Sequence, residues 1–481
     1  MKTLPGPSFL IGSEWRESPV RQSVTNPFTG QVIADVCQAQ ETDIEQAIQL
    51  GVASFPSLAQ LPAHHRSMAL RHIADELTTR QQEFAETMSL ESGKPITDAL
   101  REVHRAIQTF TLASEETKRM LGETIPMDVS PGMEHHLGIL RRVPIGPVLG
   151  ITPFNFPLNL VAHKLAPCLA VGNPFLLKPA PQTPLTALLL GEIISRLNLP
   201  SGAVSILPCE NALAESMVRD ARIQALSFTG SAAVGWSLKN KAGKKRVALE
   251  LGGNAAVIIE PDANLQLAAQ RCLTGGLSYS GQTCISVQRV YIHHEVYDQF
   301  LRHLLEKVRE IPLSGDPLNE STVVGPLIDE KAAKRVEAWI QEAIAQGADC
   351  LVGGTRKGTF IAPTVLANIQ PTMKVSCEEV FGPVITVSRY QNYEEALREV
   401  NNSPYGLQAG VFTQNVNRIF EAYQQLEVGT VLANEIPTFR ADHMPYGGVK
   451  DSGLGREGVR YAMHELTEPK LLVLNIPPNT T

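Results

Sequence analysis

The chain has 481 residues, of which 43% are hydrophobic and 19% charged, and its formal net charge is −7. A chain of this length exceeds one ordinary hydrophobic core, so we expect two or three packed units. The composition excludes a disordered protein, and the negative charge argues against nucleic acid or an anionic membrane surface as the main partner.

The cysteines and the first residues predict a cytoplasmic protein. The seven cysteines form no C-x-x-C pair and their number is odd, which is typical of free thiols in a reducing compartment, without a zinc knuckle or a disulfide framework. Residues 1–15 contain no apolar core flanked by basic residues, so we predict no secretory signal. The longest apolar stretch, residues 147–177, contains Asn155, His163 and Lys164, so we expect no membrane span.

The first part of the chain is predicted to be helical, and an α/β pattern follows it. Apolar residues at three- and four-residue spacing indicate helices over residues 42–121. From about residue 137, short apolar segments alternate with helices. The predicted strands are residues 148–151, 174–178, 204–207 and 225–228, and the predicted helices are residues 185–197 and about 212–218. Apolar runs followed by helices are typical of buried parallel strands, and right-handed connections then give a doubly wound α/β unit.

A second α/β series begins near Gly252. Its predicted strands are residues 255–259 and 289–292, and its predicted helices are residues 267–276, 296–310, 331–346 and 458–466. Residues 470–474 are predicted to form a late strand. Because a lone strand is not stable, we expect it to pair with another sheet, in this chain or in a neighbouring subunit.

Cys284 lies in a polar segment that leaves its sulfur room to react. Residues 280–284 read Ser-Gly-Gln-Thr-Cys. A thiolate is the best side-chain nucleophile for a carbonyl, provided that its surroundings stabilise the anion. Cys168, in an apolar helix, is instead typical of an inert buried thiol. From this segment alone, Cys284 is either a nucleophile or a buried structural cysteine.

Two further segments carry groups suited to carbonyl chemistry. Glu250 ends an apolar strand, where burial would raise its pKa towards the range of a general base. A strand-end glutamate paired with a lysine gives the same pattern. Asn155 lies in residues 153–157 (Pro-Phe-Asn-Phe-Pro), where its amide could donate to an oxyanion or cap a loop.

Residues 228–231 (Phe-Thr-Gly-Ser) join a predicted strand to a helix. Backbone N–H groups at such a helix start can bind a pyrophosphate, although an ordinary strand-to-helix turn has the same sequence features. The segment differs from the G-x-G-x-x-G fingerprint, so it is a moderate dinucleotide signal.

Together these motifs resemble the aldehyde dehydrogenase superfamily, from about Asn26 to the last strand. The separation of Glu250 and Cys284 fits the family's spacing. The other matching elements are residues 153–157, 177–179 (Leu-Lys-Pro), 228–231, 250–254 (Glu-Leu-Gly-Gly-Asn), 281–284, 379–383 (Glu-Val-Phe-Gly-Pro), 445–450 (Pro-Tyr-Gly-Gly-Val-Lys) and 452–457 (Ser-Gly-Leu-Gly-Arg-Glu). The full set in this order is specific. It looks closest to the non-phosphorylating glyceraldehyde-3-phosphate and lactaldehyde dehydrogenases.

The resemblance implies oxidation of an aldehyde to a carboxylic acid with NAD(P)+. Cys284 would attack the aldehyde carbon, and the oxyanion of the thiohemiacetal would be held by the Asn155 amide and the Cys284 backbone N–H. Hydride transfer to the nicotinamide leaves a thioester, which water activated by Glu250 would hydrolyse.

The resemblance also implies a set of cofactor contacts. The residues are Lys178, Phe228, Gly230, Ser231, Glu379 and Phe381. Glu379 is similar to the carboxylate at the nicotinamide ribose, and Phe381 packs nearby. Lys178 resembles the lysine at the adenosine ribose, and Ser231 resembles the pyrophosphate contact. Lys164 matches a lysine near the oxyanion loop.

The chain departs from the family at two places on the cofactor side. Many NAD-preferring relatives carry a glutamate that accepts both ribose hydroxyls, where this chain has Pro181. Its absence removes both a repulsion of the 2′-phosphate and a contact with NAD, so we expect NADP or NAD as the cofactor, with NADP accepted. Residues 208–211 replace a glycine-rich turn of many relatives.

The predicted substrate-binding residues are Arg440, Phe156, His163 and Ser278. His163 and Ser278 occupy positions where relatives that act on apolar aldehydes often carry aromatic residues. The Arg440 guanidinium would bind a carboxylate, phosphate or sulfonate in bidentate fashion, whereas the alternative is an internal pair with Asp442. We therefore expect a small polar or anionic aldehyde as substrate.

Three other functions are distinguishable by sequence features. A CoA-acylating dehydrogenase would resolve the thioester with CoA and would not need Glu250 as a base. An inactive binding protein on the same fold would not need Cys284, Glu250 and Asn155 together. A cysteine hydrolase would need a histidine partner, and no histidine lies in a convincing motif.

The resemblance implies an α/β fold with three parts. These are a doubly wound NAD(P)-binding domain over residues 1–121 and 144–252, an α/β catalytic domain over residues 253–451, and a β oligomerisation arm over residues 122–143 and 466–481. The active site would lie between the two large domains. The expected partners are a small-molecule aldehyde and further copies of the chain, in a homodimer or homotetramer. We expect no nucleic acid, membrane or metal.

Overall fold

Four helices form most of the first quarter of the chain, as the sequence predicts. The computed structural model describes residues 6, 8–311 and 315–476. The helices are α1 (Glu41–Gln60), α2 (Ala63–Thr79), α3 (Gln81–Ser92), α4 (Ile96–Glu116), α5 (Asn159–Val171), α6 (Leu185–Ile194), α7 (Asn211–Arg219), α8 (Ala232–Lys241), α9 (Leu265–Leu277), α10 (Tyr297–Arg309), α11 (Glu330–Ala345), α12 (Lys374–Cys377), α13 (Tyr393–Asn401), α14 (Val416–Gln425) and α15 (Val459–Glu465). A 3-10 helix covers Ser278–Gly281.

The strands alternate with these helices over most of the chain. They are β1 (Phe9–Ile11), β2 (Glu14–Arg16), β3 (Arg21–Thr25), β4 (Val32–Cys37), β5 (Glu123–Pro126), β6 (His136–Pro144), β7 (Val148–Ile151), β8 (Phe175–Lys178), β9 (Val204–Ile206), β10 (Ala225–Thr229), β11 (Arg246–Glu250), β12 (Ala256–Ile259), β13 (Arg289–His293), β14 (Asp349–Val352), β15 (Arg356–Lys357), β16 (Phe360–Ile361), β17 (Thr364–Ala367), β18 (Val384–Tyr390), β19 (Tyr405–Gly406), β20 (Gln408–Phe412), β21 (Thr430–Ala433), β22 (Val449–Lys450), β23 (Gly453–Leu454) and β24 (Thr467–Asn475).

The first sheet has the strand order β2-β1-β9-β8-β7-β10-β11-β23. Its five inner strands, from β9 to β11, pair in parallel, while antiparallel strands complete both edges. The chain proceeds outward from β7 to β9 and then returns to β10 on the other side of β7. At such a reversal the loops after the carboxyl ends of the strands diverge and leave a crevice.

The second sheet has the order β14-β17-β18-β13-β12-β20-β21 and is parallel except at the β14 edge. The inner strands β7 and β12 are buried along their whole length, which explains their continuous apolar sequences. The predicted α/β fold with mainly parallel sheets is therefore confirmed. The chain returns from the second sheet to the first through β23, where Gly453 pairs with Glu250 and Leu454 with Leu249.

A separate three-stranded sheet with the order β24-β6-β5 contains the predicted late strand. β24 pairs with β6 of the same chain from Thr467 to Asn475. Its outer residues stay exposed, with 48% of Leu471 and 53% of Leu472 accessible to solvent. The three predicted domain ranges remain predictions. Residues 1–5, 7, 312–314 and 477–481 of those ranges lie outside the described residues.

The strands before residue 42 were not predicted. β1 has three residues, all buried, and joins the first sheet beside β9. Strands this short carry too little periodicity to be recognised without their pairing partners. Among the described residues, no helix combines the length and the apolar character that crossing a bilayer requires.

Candidate active site

A cavity of about 500 Å³ lies at the carboxyl ends of β7, β10 and β11. Loops from the second half of the chain close its other side. Ten of the predicted site residues line it: Asn155, Phe156, Gly230, Ser231, Glu250, Ser278, Cys284, Glu379, Phe381 and Arg440. The remaining three, Lys178, Phe228 and His163, are not among the lining residues.

The backbone just before the predicted nucleophile is strained. Tyr279, Ser280 and Gly281 have φ angles of 46°, 55° and 72°. Each non-glycine residue in this region costs roughly 1–2 kcal/mol, so surrounding contacts have to hold it. The Tyr279 hydroxyl donates to the Ser92 oxygen at 3.0 Å. A Cβ on Gly281 would lie 2.1 Å from the Gly382 oxygen, which explains the glycine.

The Cys284 sulfur is partly exposed and lines the cavity. It lies 3.2 Å from the hydroxyl oxygen of Tyr446. Burial raises the pKa of the Cys284 thiol to about 12, and the Tyr446 hydroxyl and the Arg440 cation oppose that rise. The resting sulfur is therefore a thiol that has to lose its proton before it can attack a carbonyl. Cys168 is fully buried in the core, as an inert thiol would be.

The Asn155 amide is held beside Cys284. Its Nδ2 donates to the main-chain oxygen of Gln282 at 3.0 Å, and the amide itself lines the cavity. This bond uses one amide hydrogen and leaves the second available to an oxyanion. Its Oδ1 is buried and has no hydrogen-bond partner among the described residues.

A buried ion pair that the sequence reasoning missed supports this loop. Lys94 pairs with Glu102, and both side chains are inaccessible to solvent. The Lys94 Nζ also donates to the main-chain oxygen of Asn155 at 2.6 Å and lies 4.5 Å from the ring centroid of Tyr279. Lys94 thus contacts both the Asn155 loop and the strained segment. Glu102 interrupts the apolar stripe of α4 beside Val103, and that pattern could have revealed it.

Glu250 ends β11 and is 4% exposed. Its Oε2 atom is buried without a hydrogen-bond partner among the described residues. Burial raises the pKa of Glu250 well above its usual value, and the neighbouring Glu457 raises it further, while Arg440 and Lys164 oppose the rise. A carboxylate with a raised pKa and a free oxygen facing a cavity is suited to proton abstraction.

The pKa of Glu457 is shifted in the opposite direction from that of its neighbour Glu250. It accepts hydrogen bonds from Lys164 at 2.8 Å and from Arg440 at 2.9 Å. Burial alone would raise the pKa of Glu457, but these two cations hold it below its usual value. The internal partner of Arg440 is thus Glu457, and the alternative pairing of Arg440 with Asp442 is wrong.

Asp442 instead supports the loop that carries Arg440. It accepts hydrogen bonds from Arg105 at 2.8 Å and 3.3 Å, and its Oδ1 lies 2.8 Å from the His163 Nε2. His163 is fully buried in α5 and, unlike Asn159 and Leu160 at the start of that helix, is not among the residues that line the cavity. The structure therefore does not bring His163 to the predicted substrate position.

The turn after β10 is suited to an anionic group. Ser231 is the N-cap residue of α8, and no side chain caps this helix start. Ser231 and Gly230 line the cavity, and the adjacent Thr229 hydroxyl is buried without a partner among the described residues. Free backbone N–H groups at a helix start attract a phosphate. Phe228 lies behind this turn, where its ring would meet any Cβ placed on Gly230.

Glu379 approaches the same cavity from the second half of the chain. Its Oε1 accepts the Gly253 N–H at 3.1 Å, and a Cβ on Gly252 would lie 2.5 Å from its Oε2. Burial raises the pKa of Glu379 to about 7. The Phe381 ring packs edge-on against Phe154, with 5.9 Å between the centroids. Glu379 and Phe381 both line the cavity.

Lys178 lies beyond the cavity, at the end of β8. Its Nζ donates to the Asn211 Oδ1 at 2.9 Å. Burial lowers the pKa of Lys178. These two groups form a polar pair at the carboxyl end of β8 in the first sheet. No group of three or more His, Cys, Asp or Glu residues suited to a metal ion occurs among the described residues.

The aldehyde dehydrogenase family model matches residues 15–472, and the chain belongs to this family. It is 40% identical over 467 residues to the 3-sulfolactaldehyde dehydrogenase of Priestia megaterium, with 97% of each chain covered. The structure is similar to aldehyde dehydrogenase 21 from Physcomitrella patens in complex with the reaction product succinate, with a TM-score of 0.96 and 45% identity over 99% of this chain and 100% of that one.

A second similar structure, the glyceraldehyde-3-phosphate dehydrogenase GapN from Methanocaldococcus jannaschii, was crystallised with NADP. Its TM-score is 0.91 at 36% identity, over 96% of this chain and 99% of that one. These matches confirm the family and the group that the sequence motifs resemble. The chain is an oxidoreductase that oxidises an aldehyde to a carboxylic acid with NADP or NAD as cofactor.

Proposed function

We propose that Cys284 is the covalent nucleophile of this aldehyde oxidation and that Glu250 is the general base. One observation carries the proposal: a thiol, an amide and a carboxylate with a raised pKa line a single cavity. Cys168 and the other buried cysteines do not share this surrounding. The amide of Asn155 is the third member of the group.

The proposed reaction follows from the chemistry of these three groups. The Cys284 thiol loses its proton to water, and the resulting thiolate attacks the carbonyl carbon. The oxyanion accepts hydrogen bonds from the Asn155 amide and the Cys284 main-chain N–H. NADP or NAD, when bound, supplies the acceptor for the hydride of the thiohemiacetal. Glu250 then takes a proton from water, whose oxygen adds to the thioester carbon. Collapse of that adduct breaks the carbon–sulfur bond and releases the carboxylic acid and the thiolate.

The cofactor residues that we propose lie at the carboxyl edge of the first sheet and on the facing segment, residues 379–381, from the second half of the chain. Ser231 and the Gly230 turn would bind the pyrophosphate, because α8 begins there without a side-chain cap. Glu379 and Phe381 would contact the nicotinamide ribose, and Lys178 the adenosine ribose. The free hydroxyl of Thr229 and the uncapped helix start fit an anionic cofactor.

We propose a small anionic aldehyde as substrate. Arg101, Arg105 and Arg440 line the same cavity as Cys284, and the buried Arg440 Nε has no hydrogen-bond partner among the described residues. Guanidinium groups bind carboxylate, phosphate and sulfonate through paired hydrogen bonds. One relative is named for 3-sulfolactaldehyde, which carries a sulfonate, and another was crystallised with its reaction product succinate, a dicarboxylate. Phe156 and Ser278 would contact the carbon atoms of the substrate between its aldehyde and its anionic group.

We also propose a homodimer or homotetramer that works in the cytoplasm. The exposed apolar residues of β24 support the oligomer, because an edge strand of this kind tends to pair with another chain. The free state of all seven cysteines is typical of a reducing compartment.

The proposal is tested with Cys284→Ser, using Cys168→Ser as the matched control. We expect Cys284→Ser to reduce no NADP and to form no covalent adduct with the aldehyde by intact-mass spectrometry, while Cys168→Ser keeps both. Parental turnover by Cys284→Ser would overturn the proposal. Turnover of the parental enzyme that requires added CoA would instead assign the CoA-acylating reaction.

A further inference from the structure

We propose that Tyr446 is a further catalytic residue, whose hydroxyl group donates a hydrogen bond to the Cys284 thiolate and stabilises that anion before attack. The inference rests on the proposed role of Cys284 as nucleophile. Tyr446 belongs to the motif of residues 445–450 and is not among the predicted site residues.

The position of the Tyr446 hydroxyl is fixed by the backbone. The Tyr446 N–H donates to the Glu457 oxygen at 3.1 Å, and the Glu457 N–H donates back to the Tyr446 oxygen at 2.7 Å. The side chain is 2% exposed, and its hydroxyl oxygen lies 3.2 Å from the Cys284 sulfur. Because the backbone of Tyr446 is fixed by these bonds and its side chain is buried, the residue loses little further conformational entropy when its hydroxyl group binds the sulfur.

The direction of this hydrogen bond depends on the state of the sulfur. A thiol can either donate or accept, but a thiolate carries no hydrogen, so the tyrosine becomes the donor. Burial raises the pKa of Tyr446 well above its usual value, which keeps its hydroxyl protonated wherever the enzyme works. Among the described residues, no other side chain forms a hydrogen bond with the Cys284 sulfur.

The charges around Cys284 largely disfavour a thiolate, so the hydrogen bond from the Tyr446 hydroxyl is needed to stabilise it. The carboxylates of Glu379 and Glu250 both disfavour a thiolate, and Arg440 is the cation that favours it. The Arg440 guanidinium carbon lies 3.7 Å from the centroid of the Tyr446 ring. A cation against the ring face draws electron density from the ring, so the hydroxyl becomes a stronger donor. Arg440 therefore supports the anion both directly and through Tyr446.

The test uses Tyr446→Phe, which keeps the ring and removes only the hydroxyl group. The rate at which iodoacetamide alkylates Cys284 is measured across the neutral and alkaline pH range, with each cysteine peptide quantified by mass spectrometry. We expect the apparent pKa of Cys284 to rise by about one pH unit or more, which is a roughly tenfold slower alkylation at a fixed pH. Turnover with saturating aldehyde should fall by a similar factor.

Tyr297→Phe is the matched control, because Tyr297 is also buried and has the Arg389 guanidinium 4.0 Å above its ring, away from the cavity. It should leave the Cys284 profile unchanged, and the exposed Cys350 should react equally in all variants. An unchanged Cys284 profile in Tyr446→Phe would overturn the inference, even if turnover fell. Full activity of Cys284→Ser would overturn the proposed function instead, so the two failures are distinguishable.

Discussion

The ammonium group of Lys94 donates a hydrogen bond of 2.6 Å to the main-chain oxygen of Asn155. The same group is paired with Glu102, whose Oε1 accepts the N–H groups of Leu158 and Asn159 at the start of α5. One buried ion pair therefore holds the loop that presents the Asn155 amide. Fold stability and the position of the oxyanion donor depend on the same contacts.

The first prediction is that Lys94→Met lowers the free energy of unfolding by about 3 kcal/mol, because it leaves the Glu102 carboxylate buried without its cation. Urea denaturation measures this. Adding Glu102→Gln should restore part of the loss, since the amide oxygen still accepts the two backbone N–H groups. Arg71→Ala, which removes an exposed pair with Asp75, should change stability by under about 1 kcal/mol. A loss no larger in Lys94→Met than in Arg71→Ala would contradict the prediction.

The second prediction concerns Glu250 and pH. Burial raises the pKa of Glu250, so its protonated form predominates to a higher pH than in an ordinary glutamate. Protonated Glu250 cannot take a proton from water, and hydrolysis of the thioester should therefore speed up as pH rises through that raised pKa. Glu250→Gln should release one NADPH per subunit in a burst and then stall. Quenched-flow measurement at several pH values checks both results, and steady turnover by the variant would refute the assignment.

The third prediction concerns the anion subsite. Arg440→Ala should raise KM for an anionic aldehyde such as succinic semialdehyde, and the factor of this increase should be roughly tenfold to a hundredfold larger than the factor for propanal. The reason is that only the anionic substrate loses a hydrogen bond to a charged group. Propanal serves as the internal control, since it also reports any disturbance of Glu457 and Tyr446. Steady-state kinetics with both aldehydes give the comparison. Equal effects on the two substrates would exclude an anion-binding role.

The fourth prediction concerns cofactor choice. Pro181→Glu should lower kcat/KM for NADP by about tenfold or more, because its carboxylate would repel the 2′-phosphate. Pro181→Gln, of nearly the same size but uncharged, should leave the NADP value close to that of the parent. The ratio of kcat/KM for NADP and NAD in the three proteins is the measurement. A strong NAD preference in the parental enzyme would contradict the expectation.

The fifth prediction concerns the outer face of β24. Leu472→Glu places a charge among exposed apolar residues of an edge strand, so it should shift the oligomer towards the monomer. Sedimentation velocity measures the distribution of species, and circular dichroism verifies that the variant is folded. An unchanged sedimentation profile would mean that this face is not part of an interface.

The elements that carry the site could be predicted because their sequences reflect burial. Residues 148–151 and 255–259 are continuous apolar runs, and β7 and β12 lie there, buried on both faces. Strand β23 could not be predicted, because it has two residues and exists through its pairing with Glu250 and Leu249. The same holds for β1, which depends on β9.

The candidate nucleophile and base could be predicted from family motifs, but the contacts that their supporting partners make could not. Lys94 meets Asn155 across 61 positions of the chain, and Tyr446 meets Cys284 across 162. Local patterns carry no information about contacts at such separations. His163 is the opposite case, because the family motif predicted a pocket residue that the structure does not place in the pocket. Its side chain is buried in α5 and contacts Asp442.

The short strand β23 also limits how the enzyme can admit its substrates. Gly453 lies opposite Glu250 in the antiparallel pairing, and the N–H of the next residue, Leu251, donates to the Ser452 oxygen at 2.9 Å. The end of β11 is therefore attached to a segment that arrives from the other half of the chain. A large rotation of the two halves of the chain about a hinge would break the pairing of β23 with β11 and displace the Glu250 carboxylate. Entry of the aldehyde and exit of the acid are therefore expected to rely on side chains and loops at the rim, while the floor of the cleft stays rigid.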